Sequence, residues 1–169
     1  MTLAEMRRTF PYFIVVEIAT QTIKFYQQGL LRYQYAVSTA KNGVGEQFSS
    51  ECTPRGLHII RAKIGENAPW NSVFVGRRWT GEIYSAALAG VYPNRDWILT
   101  RILWLSGCEV GKNRLGSVDT MRRYIYIHGT PEENLMGYPG SRGCIRMHNE
   151  DIISLFDAVP LKTPVMIKE

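Results

Sequence analysis

The strongest constraint on how this chain can fold is a period of two in its apolar residues. Pro11 to Ala19 is apolar and rich in β-branched residues. Ile23 and Phe25 alternate with polar neighbours, and after a turn at Gln27-Gln28-Gly29 the residues Leu31, Tyr33, Tyr35 and Val37 alternate again. Successive side chains of a strand leave on opposite faces, so such runs specify half-buried strands. Thr53-Pro54-Arg55-Gly56 reads as a turn into a strand from Leu57 to Ile64. Trp97 to Leu105, Tyr124 to His128 and Pro164-Val165-Met166-Ile167 read as further strands, with loops at 41–50 and 106–119. Helical spacing is clear only late in the chain. Asn149 suits an N-cap, Glu150 and Asp151 favour the positive helix end, Ile152, Ile153, Leu155 and Phe156 form one face, and Pro160 ends the run. Ala86 to Ala89 is a possible helical turn, and 65–96 has little periodicity. The expectation is a mainly β chain with one or two helices, forming one domain over residues 1–169.

Bulk properties exclude several classes. The net charge is +5, and 14 of the 20 basic residues are arginine, the residue suited to forked recognition of carboxylates and phosphates. The arginines are scattered or paired (Arg7-Arg8, Arg77-Arg78, Arg122-Arg123), without a dense basic run or a nucleic-acid motif. This argues against nucleic acid and for a small anionic substrate. Three cysteines (Cys52, Cys108, Cys144) and three histidines lack zinc-site spacing, so no metal or other cofactor is expected. No apolar segment approaches a membrane span. The missing disulfide framework fits a reducing compartment. At the N-terminus, Phe13-Ile14-Val15-Val16 is short, is interrupted by Glu17 and lacks a small-residue cleavage site. Although Arg7-Arg8 mimics a signal n-region, the run reads better as a first strand. These features predict a cytoplasmic protein; a signal not recognised in this way would make it periplasmic.

The chemistry concentrates in Ser141-Arg142-Gly143-Cys144-Ile145-Arg146-Met147, thirteen residues after His128. A free thiol is only a few per cent ionised at neutral pH, so a nucleophilic cysteine needs a base or cations beside it. His128 can serve as base, and Arg142 and Arg146 add positive charge. Alternation places Tyr124, Tyr126 and His128 on one strand face and Ile125 and Ile127 on the other, with His128 at the strand end and Gly129 allowing close backbone approach. His148 could compete as base. His58 reads as structural, and Cys52 and Cys108 read as incidental loop thiols. The tryptophans at 70, 79, 97 and 104 read mostly as packing residues, one or two of which could line a groove.

Taken in order, His128-Gly129-Thr130, Gly137-Tyr138-Pro139 and Ser141-x-Gly143-Cys144-Ile145-Arg146-Met147 resemble the signature of the L,D-transpeptidase (YkuD) catalytic domain family. Ser38-Thr39-Ala40-Lys41 resembles that family's S-T-G-K loop, Thr53-Pro54-Arg55-Gly56 its T-P-x-G turn, and Thr163-Pro164-Val165 its terminal strand, so the match spans about 12 to 167 and is weakest over 65–96. The resemblance implies a β-sandwich-like domain and a cysteine that attacks the peptide carbonyl at the L-centre of diaminopimelate, next to D-alanine. Carried onto this chain, Cys144 is the nucleophile and His128 the base, oriented by a carbonyl near Gly129. Amides around Gly143 and Cys144 form an oxyanion hole, and Ser141 and Arg146 shape the pocket. Arg146 either grips a substrate carboxylate or makes a salt bridge that fixes the loop. The family usually has histidine where this chain has Arg142, whose fixed charge is expected to favour the thiolate and alter substrate contacts.

Water or an amine can resolve the resulting thioester. With no export signal recognised, the expected activity is an L,D-carboxypeptidase releasing terminal D-alanine from tetrapeptide muropeptides, as in wall recycling. An exported L,D-transpeptidase forming cross-links is the alternative. A domain that only binds stem peptides fits less well, because His128, Gly143, Cys144 and Arg146 are all present. A sortase-like arrangement fits the order and spacing poorly.

Overall fold

The computed structural model describes residues 1–169. Ten strands form one hydrogen-bonded sheet: β1 (Tyr12–Glu17), β2 (Thr22–Gln27), β3 (Leu30–Ala36), β4 (Gly56–Ile64), β5 (Ser72–Val75), β6 (Arg78–Ile83), β7 (Ile98–Gly107), β8 (Tyr126–Thr130), β9 (Ile145–His148) and β10 (Pro164–Lys168). Three short helices accompany them: α1 (Leu3–Thr9), α2 (Ala86–Val91) and α3 (Asn149–Ala158). No helix is long and apolar enough to cross a membrane.

The strand order is β3-β2-β1-β10-β4-β7-β5-β6, and β8 joins through β7 and carries β9 as its other neighbour. The last strand is therefore central. Residues 14–17 of β1 pair in parallel with 165–168 of β10, and β10 pairs antiparallel with β4. β7 is the junction, pairing with β4 through 102–107, with β5 through 98–99 and with β8 through 99–104. Register shifts between Ile60 and Ala62 and between Leu99 and Ile102 mark bulges, which bend and twist a sheet so that it can curl.

Alternation along β1 divides its apolar residues between two clusters. Ile14 and Val16 face a main core of 18 buried residues, which also takes Ile127 from β8, Ile145 and Met147 from β9, and Ile152, Leu155 and Phe156 from α3. Phe13 and Val15 face the other way, where Met6 of α1 covers them with Tyr26. Helix α1 lies ahead of the first strand in a mostly polar stretch. What nucleates it is local: Thr2 and Glu5 form a reciprocal capping box, and Met6 supplies one buried anchor.

The structure departs from the sequence reading in several places: β5, β6 and β9 are strands that alternation did not mark, β7 runs on to Gly107, and two boundaries at the site shift. β8 runs on through Gly129 and Thr130, so His128 sits in mid-strand, because pairing with β9 extends from Ile127↔Ile145 to Thr130↔His148. Tyr124, at φ 56°, lies outside the strand. At α3 the cap is His148 and Asn149 is the first helical residue. The Asn149 side chain is drawn inward instead, accepting from Thr100 Oγ1 at 2.7 Å and donating to Asn71 Oδ1 at 2.7 Å. The loop after β7 is anchored by buried Asn113, whose Nδ2 donates to the carbonyls of Arg55 (3.0 Å) and Leu57 (3.1 Å).

His58 is structural, as its sequence context suggests. It is fully buried in β4, with Nδ1 3.0 Å from the Gly56 carbonyl and Nε2 3.1 Å from Thr120 Oγ1. Burial lowers its pKa from 6.5 to about 4. Its folded pKa lies below its unfolded value, so protons favour the unfolded chain. The His58 contribution is complete above about pH 6.5 and is lost as pH falls through about 4, a change of about 3 kcal/mol at 1.36 kcal/mol per unit. Denaturant unfolding at pH 7.5 and 4.5 should show a smaller acid loss in His58→Gln than in wild type, by about that amount.

Candidate active site

The parallel pairing of β8 with β9 builds the site. Ile127 lies opposite Ile145 and His128 opposite Arg146, which puts the isoleucines in the core and sends His128 and Arg146 to the other face. Cys144 immediately precedes β9 and points the same way, packing against Tyr126 and Ile102. The Tyr126 N–H donates to Cys144 Sγ at 3.3 Å, and the thiol donates to the Tyr124 carbonyl at 3.4 Å.

The imidazole is held from its far side. His128 Nδ1 is 2.6 Å from the Gly129 carbonyl. A carbonyl can only accept, so Nδ1 carries the proton and Nε2 presents a lone pair. That Nε2 is buried and has no hydrogen-bond partner, the thiol included. Gly129 is required sterically: a Cβ there would be driven into Asn149 Oδ1 and to 2.5 Å of the Leu99 carbonyl. Thr100, a β-branched residue at φ 73°, sits behind it in a sparsely populated conformation, held by its bonds to Asn149 and to the Asn71 amide (3.1 Å). Asn149 is thus part of the support for His128, a role hidden behind its resemblance to a cap.

Two distant segments clamp the cysteine loop. Ser38 exchanges both backbone hydrogen bonds with Arg146, each at 2.9 Å, and Ser141 pairs with the 39–41 backbone. The Thr53 hydroxyl accepts from the Ala40 amide at 2.9 Å and donates to the Gly143 carbonyl at 2.9 Å. The S-T-A-K loop and the T-P-x-G turn therefore meet at the Gly143-Cys144 peptide. Gly143 adopts φ 128°, and a Cβ on it would press on Ile125 and the Cys52 carbonyl at 3.1 and 3.2 Å. Cys52, read as incidental, borders the site through its backbone.

The polar groups expected around the sulfur are divided as follows. Ser141 is buried, donating to the Cys144 carbonyl at 2.5 Å and accepting from the Gly143 amide at 3.2 Å. The Gly143 N–H is thus engaged within the loop, whereas the Cys144 N–H has no partner in the protein. Arg146 makes the salt bridge rather than standing free, with Nη2 3.0 Å from Asp96 Oδ1 and Nη1 donating to the Gly140 carbonyl at 3.1 Å. Asp96 had no signal in the aperiodic 65–96 stretch. Arg142 is exposed, and the cations that act most strongly on the sulfur are Arg146 and Arg123. The Arg142 side chain borders an open pocket with Arg122, Arg123 and Tyr124. His148 caps α3, Cys108 stands beside Glu109 and Arg114, and no cluster of three or more His, Cys, Asp or Glu is placed to hold a metal ion.

Burial dominates the electrostatics. It pushes the Cys144 thiol up to about 12, against the opposing pull of the Tyr126 N–H; Asp96 adds to the rise, and Arg146 and Arg123 oppose it. Burial also lowers the His128 pKa, with Asp96 and the Gly129 carbonyl opposing and Arg146 reinforcing. At rest the site is a neutral thiol beside a neutral imidazole, a pair that can form a nucleophile when a carbonyl accepts the developing charge.

A family profile described as the L,D-transpeptidase catalytic domain (YkuD) matches residues 11–167. The chain belongs to the L,D-transpeptidase catalytic domain family. This domain is 28% identical over 160 residues to the YkuD protein of Bacillus licheniformis, covering 94% of this chain and 67% of that protein. It is 46% identical over 47 residues to the YqjB protein of Bacillus subtilis, covering 28% and 27% of the two. Among solved structures, an L,D-transpeptidase of Mycobacterium smegmatis superposes with a TM-score of 0.56 at 17% identity over 94% of this chain and 59% of that one. L,D-transpeptidase 3 of Mycobacterium tuberculosis, in complex with a faropenem-derived adduct, does so at 0.58 and 16% over 94% and 60%. The L,D-transpeptidase fold shown here thus spans about three-fifths of those two chains.

The resting state has a direct signature. Alkylation of Cys144 by iodoacetamide, followed by peptide mass spectrometry, should accelerate about tenfold per pH unit from pH 7 to 9 without levelling off. A plateau below pH 8 would reveal a preformed thiolate–imidazolium pair instead.

Proposed function

We propose that this L,D-transpeptidase-family domain is a cysteine L,D-carboxypeptidase that releases the terminal D-alanine of peptidoglycan tetrapeptide stems through a thioester on Cys144. The observation that carries the reading is the unpartnered, buried Nε2 of His128 on the face it shares with a thiol. In the proposed cycle Sγ attacks the carbonyl carbon and its proton passes to Nε2. The tetrahedral oxyanion takes the free Cys144 N–H, a type of contact commonly worth about 3 kcal/mol of barrier. Nε2 then returns the proton to the D-alanine nitrogen as the C–N bond breaks. Water, deprotonated by the same nitrogen, cleaves the thioester and restores the thiol. The Gly129 carbonyl keeps the imidazole in the productive tautomer, the third-group role of a triad.

Cys144 is half-buried, so the thioester is open enough for water to serve as acceptor. This reading goes with a cytoplasmic role in wall recycling. A second reading, an exported enzyme in which an amine resolves the thioester to form cross-links, is favoured by the transpeptidase designation of the Mycobacterium structures.

Incubation with a disaccharide-tetrapeptide, followed by mass spectrometry, separates the two. Loss of one D-alanine without dimers is expected, and dimers or exchange of D-amino acids would establish the amine acceptor. Cys144→Ala should be inactive, and His128→Gln should be slowed by roughly 10²- to 10⁴-fold. Binding without turnover in wild type would leave only a stem-peptide-binding role. Because the Mycobacterium tuberculosis relative carries a faropenem-derived adduct, faropenem should add covalently to Cys144 here. Intact-mass analysis of wild type beside Cys144→Ala reads that out, and an unmodified wild type would count against the acyl-enzyme.

A further inference from the structure

Beside the nucleophile lies a depression of about 300 Å³ bordered by Arg122, Arg123 and Arg142, with Phe48 and Tyr124 as its aromatic walls. Its position is fixed by contacts already described. The Tyr124 carbonyl accepts the Cys144 thiol hydrogen, and Arg142 precedes Gly143 in the cysteine loop. Three arginines border this space and none forms a salt bridge, whereas Arg55, Arg95 and Arg146 are each paired with a carboxylate. Glu51 also borders the depression and forms no ion pair with them.

Arg123 is half-buried and gives its hydrogen bonds to neutral acceptors only: the Gly45 carbonyl at 3.2 Å, Ser50 Oγ at 3.3 Å and the Cys52 carbonyl at 2.7 Å. Its charge is therefore oriented but has no ion-pair partner, with Glu46 acting on it only from a distance. Arg122 and Arg142 make no side-chain hydrogen bond, leaving both forks available to a ligand. Uncompensated like charges repel one another, and an arriving anion relieves that repulsion while gaining charge-assisted bonds. Phe48 and Tyr124, 41% and 54% exposed, supply flat apolar surface against which the rest of the ligand can lie.

The geometry points to a carboxylate-binding specificity subsite formed by Arg122, Arg123 and Arg142, which holds the side-chain carboxylate of the acyl-donor residue next to the scissile amide. This deepens the proposed function and rests on it for the identity of the donor.

Two measurements on the full chain test the subsite separately from the activity. The first is the ratio of iodoacetate to iodoacetamide alkylation rates at Cys144, read by peptide mass spectrometry. The Arg122→Gln/Arg142→Gln double variant should lower this ratio by about fivefold, and 0.5 M salt should shrink the difference. Arg142→Lys, which keeps the charge, should retain the wild-type ratio. The second is kcat/KM for a tetrapeptide whose diaminopimelate side-chain carboxylate is free against the same peptide with that group amidated. Wild type should prefer the free acid, and the double variant should bring the preference close to one. An unchanged alkylation ratio overturns the subsite, and so does an unchanged peptide preference. A changed ratio with neither peptide turned over by wild type upholds an anion site and sinks the peptidoglycan reading instead.

Discussion

The parallel pairing of β8 with β9 is the constraint on which the rest of this structure depends. Its register sets Ile127 against Ile145 and His128 against Arg146, so one pair of strands supplies both a wall of the core and the reactive face. A slip by one residue would invert both faces at once, burying the imidazole in the main core and exposing two isoleucines. Most of the surrounding architecture resists that slip. β7 fixes β8 from its other edge, α3 packs behind through Ile152, Leu155 and Phe156, and the 38–41 backbone grips the strand side of the cysteine loop.

A consequence of this placement is a site that is reactive without being ionised. The burial that orders Cys144 and His128 also disfavours charge on either, raising the thiol and lowering the imidazole. The nearby charges are arranged in partial opposition: Arg146 is tied to Asp96, so the net field at the sulfur is smaller than the count of arginines suggests. Specific hydrogen bonds do the remaining work. The Gly129 carbonyl selects the tautomer, the Tyr126 N–H faces the sulfur, and the Cys144 N–H stays free.

The motifs that carry the family resemblance acquire a common physical reason in three dimensions. Thr53 of the T-P-x-G turn bridges the Ala40 amide and the Gly143 carbonyl, so segments ninety positions apart close around one peptide unit. Gly129 is glycine because Asn149 and the Leu99 carbonyl occupy the space of a Cβ. Residues such as Asp96, Asn149 and Arg123 were illegible as participants because each contributes through one long-range contact and belongs to no local pattern. Helix α1 has little signature for the opposite reason: it is short, exposed on most sides and stabilised by a two-residue cap with a single buried methionine.

The sequence by itself determined the mainly β class, most strand positions and the identities of the thiol and imidazole, since alternation and motif spacing are local properties of a chain. Only the tertiary structure decided that His128 lies in mid-strand, that Arg146 is bound by Asp96, and that Arg142 borders a pocket with Arg122 and Arg123. Those outcomes depend on which strands pair, in what register, and on which distant backbone fills each space. Such long-range pairings are set by the packing of the whole sheet and have no signature in any single segment.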